Sequence, residues 1–139
     1  LCSYGIASCA HLGLQPQQVH KMGGYRVQGK TKNSADQMLA TACDLEQAGA
    51  DLLLLECVPA TLAALITKTL EIPVIGIGAG TDVDGQILVL HDILNVTSGK
   101  KPKFSKNFMQ GQPSIQAAIS RYVHEVKRGQ FPDQSHCFA

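Results

Sequence analysis

Asp51-Leu52-Leu53-Leu54-Leu55-Glu56-Cys57-Val58-Pro59 is the stretch whose reading decides the fold. Four consecutive leucines ending at a carboxylate are too few for a helix. They also lack the polar alternation of a strand with one wet face. An unbroken apolar run of this length fits a strand covered on both faces, as in a parallel sheet. Pro59 stands where a helix can begin, since its fixed φ and missing N–H suit a first helical position. Leu62, Ile66 and Leu70 then recur at helical spacing. The segment therefore reads as strand, turn, helix.

The same alternation extends in both directions. Upstream, Ser34-Ala35-Asp36-Gln37 has the form of a capping box, and Met38, Ala42, Leu45 and Gly49 follow on one helical face, with Gly49 as the stop. Residues 5–9 read as a short extended stretch. Residues 15–21 read as a helical turn or two with Pro16 in first position. Downstream, residues 72–77 read as a second buried strand and residues 85–90 as a weaker one, opened by Gly85 and Gln86. A basic, proline-containing connection over residues 100–106 leads to Ile115, Ala118, Ile119, Tyr122 and Val126, the stripe of a last amphipathic helix ending at Gly129. The tail from Phe131 reads as irregular. Repeated strand–helix units of this kind build either an open doubly wound sheet or half of a (β/α)8 barrel, and pattern alone does not choose between them.

Bulk properties exclude several classes. A net charge of +1 with scattered Lys and Arg leaves no footprint for nucleic acid or an anionic membrane. No apolar run approaches the roughly 20 residues of a membrane span. The chain opens at Leu1 without a signal-peptide pattern and reads as cytoplasmic or as part of a longer protein. Cys2, Cys9, Cys43, Cys57 and Cys137 form no CxxC pair, and an odd count suits buried free thiols in a reducing compartment.

In either architecture chemistry sits at the carboxyl ends of parallel strands. Those ends carry His11, Glu56, the Gly76-Ile77-Gly78-Ala79-Gly80 loop, and His91-Asp92. Glu56 closes a run of leucines, where poor solvation raises a carboxyl pKa toward the range of a general base. The plainer reading is a Glu paired with a nearby cation or capping the next helix. His11 suits donation to a substrate oxygen or a structural loop histidine. The glycine loop suits either an anion contact or close ligand approach, although it is neither GxGxxG nor a Walker motif. No histidine pair has metal-ligand spacing, so the residues point to no metal site.

Read together, His11-Leu12-Gly13-Leu14-x-Pro16-Gln17, Gly23-Gly24-Tyr25-x-Val27-Gln28-Gly29, Leu55-Glu56-Cys57-Val58-Pro59 and the run from Ile72 to Gly80 resemble the serial motifs of the ketopantoate hydroxymethyltransferase family. Asp84-Gly85-Gln86-x-Leu88-Val89-x-His91-Asp92 and Phe131-Pro132-x-x-x-His136-x-Phe138 continue the likeness. The resemblance implies an α/β fold in which residues 1–139 are one partial domain, the C-terminal half (about strands five to eight) of a (β/α)8 barrel, with the N-terminal half outside this chain.

The resemblance further implies hydroxymethyl transfer from 5,10-methylenetetrahydrofolate to 3-methyl-2-oxobutanoate through a Mg2+-stabilised enolate. Glu56 maps onto the general base and His11 onto a substrate contact. The Mg2+ ligands map to the absent half, and Asp82, Asp84 and Asp92 do not match them. Small-molecule substrates, a homo-oligomer (a decamer in the family) and the missing half are the implied partners. The likeness departs at Ala7-Ser8 and at Ala10, where the family commonly has Gly, which places the turn into His11 in question. Two other readings stand beside this one. The first is a non-catalytic half-barrel acting as an assembly module, with free sheet edges at residues 5–9 and 85–90. The second is a nucleotide or phosphate binder using Gly76 to Gly80.

Overall fold

The computed structural model describes residues 2–21 and 23–139, with the side chain of Cys2 also outside the description. The free-thiol expectation for Cys2 therefore lies outside the described residues. Four strands form one parallel sheet in sequence order: β1 (Cys9–Gly13), β2 (Leu52–Glu56), β3 (Val74–Ile77) and β4 (Gly85–Gln86). Between them lie α1 (Lys32–Gln47) and α2 (Ala60–Thr69), and after β4 come α3 (Leu90–Ile93) and α4 (Ile115–Lys127). No helix among the described residues is long and apolar enough to cross a membrane.

The leucine run behaves as a pleat. Leu53 and Leu55 are fully buried, whereas Leu52, Leu54 and Glu56 are half-buried. On the first face, Leu53, Leu55 and Val74 pack with Leu62, Ala63 and Ile66 of α2 and Ala42 of α1, flanked by Ala10, Leu12, Met38 and Leu39. Burying such side chains stabilises by about 1.5–3 kcal/mol each. This layer is the main core. On the second face a smaller cluster of Leu14, Cys57, Ile77 and Phe104, with Leu54, Leu88 and Phe138 against it, gathers at the carboxyl ends of the strands. A third cluster joins Ile93, Phe108, Ala118 and Phe131, where the Phe108 ring meets Tyr122 and Phe131 edge-on.

Several boundaries differ from the sequence expectations. The first strand spans Cys9–Gly13 rather than residues 5–9, because Gly5 turns at φ +69° and pairing with Leu52–Glu56 begins only at Cys9. Residues 15–21 contain only a single 3-10 turn, Pro16–Gln18. The capping box of α1 sits three residues earlier than read. Thr31 Oγ1 accepts from the Ser34 N–H at 3.2 Å, and Ser34 Oγ accepts from the Thr31 N–H at 3.1 Å. Gly49, at φ +93°, ends the helix as expected. The third strand begins at Val74, not at residue 72.

The fourth strand is two residues, not six. Gly78 turns β3 away at φ +64°, so the ladder runs out after the Ile87 N–H reaches the Gly76 carbonyl, and α3 starts at Leu90. The tail is less irregular than read, since Gln134–His136 makes a 3-10 turn capped by Asp133. Cys9, Cys43, Cys57 and Cys137 are free thiols, but only Cys57 is buried and Cys9 is exposed.

Candidate functional site

β1 and β2 run parallel with His11 opposite Leu54 and Gly13 opposite Glu56. Residues directly opposite one another project to the same face, and so do residues two apart. His11 and Glu56 therefore share the face that α1 and α2 do not cover. His11 lies in the middle of β1 rather than after it. Its Nε2 stands 3.3 Å from Glu56 Oε2. This buried nitrogen nevertheless makes no hydrogen bond within the described residues, because the carboxylate lies off the direction that one requires. An orphaned buried polar atom is costly unless something else meets it, and ligand oxygens are natural partners.

Burial sets the protonation of both groups. It raises the Glu56 carboxyl above the ordinary glutamate range. It lowers the His11 imidazole, with a backbone hydrogen bond at Leu14 opposing that shift. A neutral imidazole beside the carboxylate makes the 3.3 Å approach a dipolar contact rather than a salt bridge. Neither of the plainer readings of Glu56 holds among the described residues. No Lys or Arg pairs with it there, and the N-cap of α2 is Pro59, which has no side-chain cap.

The backbone around Glu56 is held from several sides. Its carbonyl accepts from the Leu14 N–H at 2.8 Å. The Cys57 N–H donates to the Ile77 carbonyl at 3.0 Å, and the Val58 N–H donates to the Gly78 carbonyl at 3.2 Å. The Cys57 carbonyl accepts from the Gln28 N–H at 2.9 Å, with Cys57 itself at φ +51°. Burial, followed by the Glu56 charge, pushes the Cys57 thiol up to about 12, so it is no nucleophile. Gly13 is indispensable to this packing. At φ +88°, a Cβ there would fall 2.1 Å from the Glu56 carbonyl oxygen. The expected constraint at Ala10 does not arise, because Ala10 is an ordinary strand residue paired with Leu53 and the positive φ belongs to Gly13.

The remaining rim candidates do not join the pair. His91 is exposed on α3, and Asp92 is buried there with its carboxylate accepting from Thr97 Oγ1. In the glycine loop, a Cβ on Gly78 would fall 2.7 Å from the Phe104 ring and one on Gly80 would fall 2.5 Å from Ala60 Cβ. Those glycines serve close packing. Asp84 accepts from the Val74 N–H at 2.8 Å. Among the described residues no group of three or more His, Cys, Asp or Glu side chains is placed to hold a metal ion. Sequence reading missed Phe104, Leu14 and Gly13 as parts of the site. Only the glycine between two apolar residues in Leu12-Gly13-Leu14 hinted at a close backbone approach.

The ketopantoate hydroxymethyltransferase family profile matches residues 1–134. A 3-methyl-2-oxobutanoate hydroxymethyltransferase of Alkalilimnicola ehrlichii is 66% identical over 138 residues, covering 99% of this chain and 50% of the relative. The enzyme of that name from Pseudomonas fluorescens is 60% identical over 140 residues, covering 100% of this chain and 53% of the relative. That of Marinobacter nauticus is 57% identical over 138 residues, covering 99% and 52%. The chain spans about half the length of the curated relatives it matches. With the parallel sheet and the His11–Glu56 pair on its open face, these matches place the chain in the ketopantoate hydroxymethyltransferase family.

Proposed function

We propose that this chain is the C-terminal half of a (β/α)8 barrel, with β1–β4 as about strands five to eight. In this reading it contributes the base of a hydroxymethyl transfer to 3-methyl-2-oxobutanoate. The observation that carries the proposal is the orphaned His11 Nε2 beside Glu56 on the sheet face left open by the helices. Relatives named for this reaction support the substrate. The substrate's third carbon, next to the ketone, carries a weakly acidic hydrogen. Glu56 Oε2 takes that proton, and its raised pKa brings the base closer in strength to its task. The electron pair released from the C–H bond forms the new carbon–carbon bond to a one-carbon donor. We assign that donor as 5,10-methylenetetrahydrofolate. Its methylene carbon takes the new bond and a hydroxyl from one water as its two bonds to folate nitrogen break, and the nitrogens take up the two protons to leave as tetrahydrofolate.

His11, neutral at this site, meets a substrate oxygen with Nε2. Leu54, Ile77 and Phe104 keep the strand ends apolar, which strengthens such contacts by excluding water. The family resemblance implies Mg2+. A hard cation needs about six oxygen ligands, and the described residues offer Glu56 as the one carboxylate at this position. This chain's residues therefore do not fit a magnesium site on their own, and the proton transfer is derived from Glu56 alone. The rest of the barrel, a homo-oligomeric assembly and a cytoplasmic setting complete the proposal.

The test is co-expression with the complementary half of the Alkalilimnicola relative, assayed for ketopantoate formation. Gain of activity that Glu56→Gln abolishes is the expected result. Activity untouched by Glu56→Gln overturns the assigned role. A complex that forms without activity favours the non-catalytic assembly module.

A further inference from the structure

The last residues of the chain return to the turn that carries Glu56. The Asp133 carboxylate accepts from the Ser135 N–H at 2.8 Å, from Ser135 Oγ at 2.6 Å and from His136 Nδ1 at 2.9 Å, closing a local turn. That turn directs Cys137 and Phe138 back over the strand ends. The Phe138 carbonyl accepts from the Ala60 N–H at 3.0 Å. Ala60 is the first residue of α2, four positions after Glu56, and its N–H is one of the donors a helix start leaves orphaned. Pro59 offers no side-chain cap for it. The Phe138 ring packs against the cluster of Leu14, Cys57, Ile77 and Phe104, edge-on to Phe104 with centroids 6.4 Å apart. Lys103 fastens the same point twice. Its Nζ donates to the Cys137 carbonyl and lies 5.3 Å from the centre of the Phe138 ring.

We infer that Phe138 is a positioning residue for Glu56, in which the tail acts as a latch. Its carbonyl holds the start of α2, and its ring closes the apolar wall beside the carboxylate. The other bonds that hold residues 56–58 come from Leu14, Gln28, Ile77 and Gly78, around β1 and β3. Among the described residues, the tail adds to these a hydrogen bond at Ala60, on the α2 side of the turn. Without it, the turn after Glu56 stays tethered to the sheet, but the Ala60 N–H at the start of α2 loses its acceptor. The carboxylate then samples positions away from the reacting carbon. The inference rests on the reading of Glu56 as the base.

Two measurements test it, and they fail separately. The first uses the 139-residue chain and follows alkylation of Cys57, with exposed Cys9 as internal reference. Wild type labels Cys57 far more slowly than Cys9. Phe138→Ala speeds Cys57 by about tenfold through local opening, while Phe138→Leu stays near wild type. Cys57 labelling that matches Cys9 in wild type, or that is unchanged by Phe138→Ala, overturns the latch. The second uses the co-expressed assembly. Phe138→Ala lowers kcat by about tenfold with little change in KM, as misplacement of a reacting group does, and Phe138→Leu restores most of it. A wild-type kcat in Phe138→Ala overturns positioning even if the latch is real. Activity that survives Glu56→Gln instead overturns the underlying role of Glu56.

Discussion

Glu56 lies in β2 directly opposite Gly13 of β1, and His11, two residues earlier in β1, comes within 3.3 Å of its carboxylate. At φ +88° a side chain at position 13 would be directed at the Glu56 backbone and the Val58 side chain. Its Cβ would also strike the Glu56 carbonyl oxygen, to which Leu14 is bonded. The site is thus built on a glycine as much as on its two polar residues.

Gly13→Ala is therefore expected to cost more than about 4 kcal/mol, combining a left-handed φ with a backbone clash. Gly5→Ala, also at positive φ but with open space around it, should cost only about 1–2 kcal/mol. Urea unfolding of the two variants makes the comparison. Equal losses would mean that the approach to Glu56 is not what constrains Gly13.

Substitutions along the leucine run should alternate in cost. Leu53→Ala and Leu55→Ala remove fully buried side chains and should each lose about 2–5 kcal/mol. Leu54→Ala, on the half-buried face, should lose less than about 2 kcal/mol in this chain. Chemical denaturation of the three variants reads the pattern directly. In the co-expressed assembly Leu54→Ala should approach the cost of its neighbours if a second half-barrel covers that face.

Glu56→Gln should stabilise the fold at neutral pH while removing activity. Burial raises the folded-state pKa of Glu56, so the folded protein holds that proton more tightly than the unfolded chain does. Stability from this group therefore falls as pH rises through the folded pKa, and the penalty is complete above it. Melts of wild type and Glu56→Gln should diverge above the ordinary glutamate range and converge in acid. His11 has the opposite dependence. Its folded pKa is lowered, so its penalty appears as pH falls below the usual histidine value of about 6.5, and His11→Gln should blunt the loss of stability there.

On α4, Glu125 joins Lys106 at 2.5 Å and Arg121 at 2.8 Å. Burial opposes ionisation of Glu125, but the two cations outweigh it and hold the carboxyl below its usual range. Its stabilisation is present above the unfolded pKa and lost as pH falls through the folded one. Glu125→Gln should cost about 1–2 kcal/mol at pH 7 and much less below pH ~3, measured by denaturant titration at both values.

What the sequence determined by itself was local and periodic. The leucine run, Pro59, the helical spacing of Leu62 and Ile66, and the stop at Gly49 each carry their structure in a few adjacent residues, so the parallel α/β order was legible. The motifs also marked His11 and Glu56 individually. Tertiary structure alone decided the rest, because the rest depends on register. Pairing that begins at Cys9 moved the first strand four residues along and put His11 inside it, on the face of Glu56. The same register made Gly13 the residue opposite the carboxylate and sent His91 and Asp92 into a helix once β3 turned away at Gly78. The residues of β2 that face β1 lie some forty positions away in the chain, and no local pattern records which residue faces which.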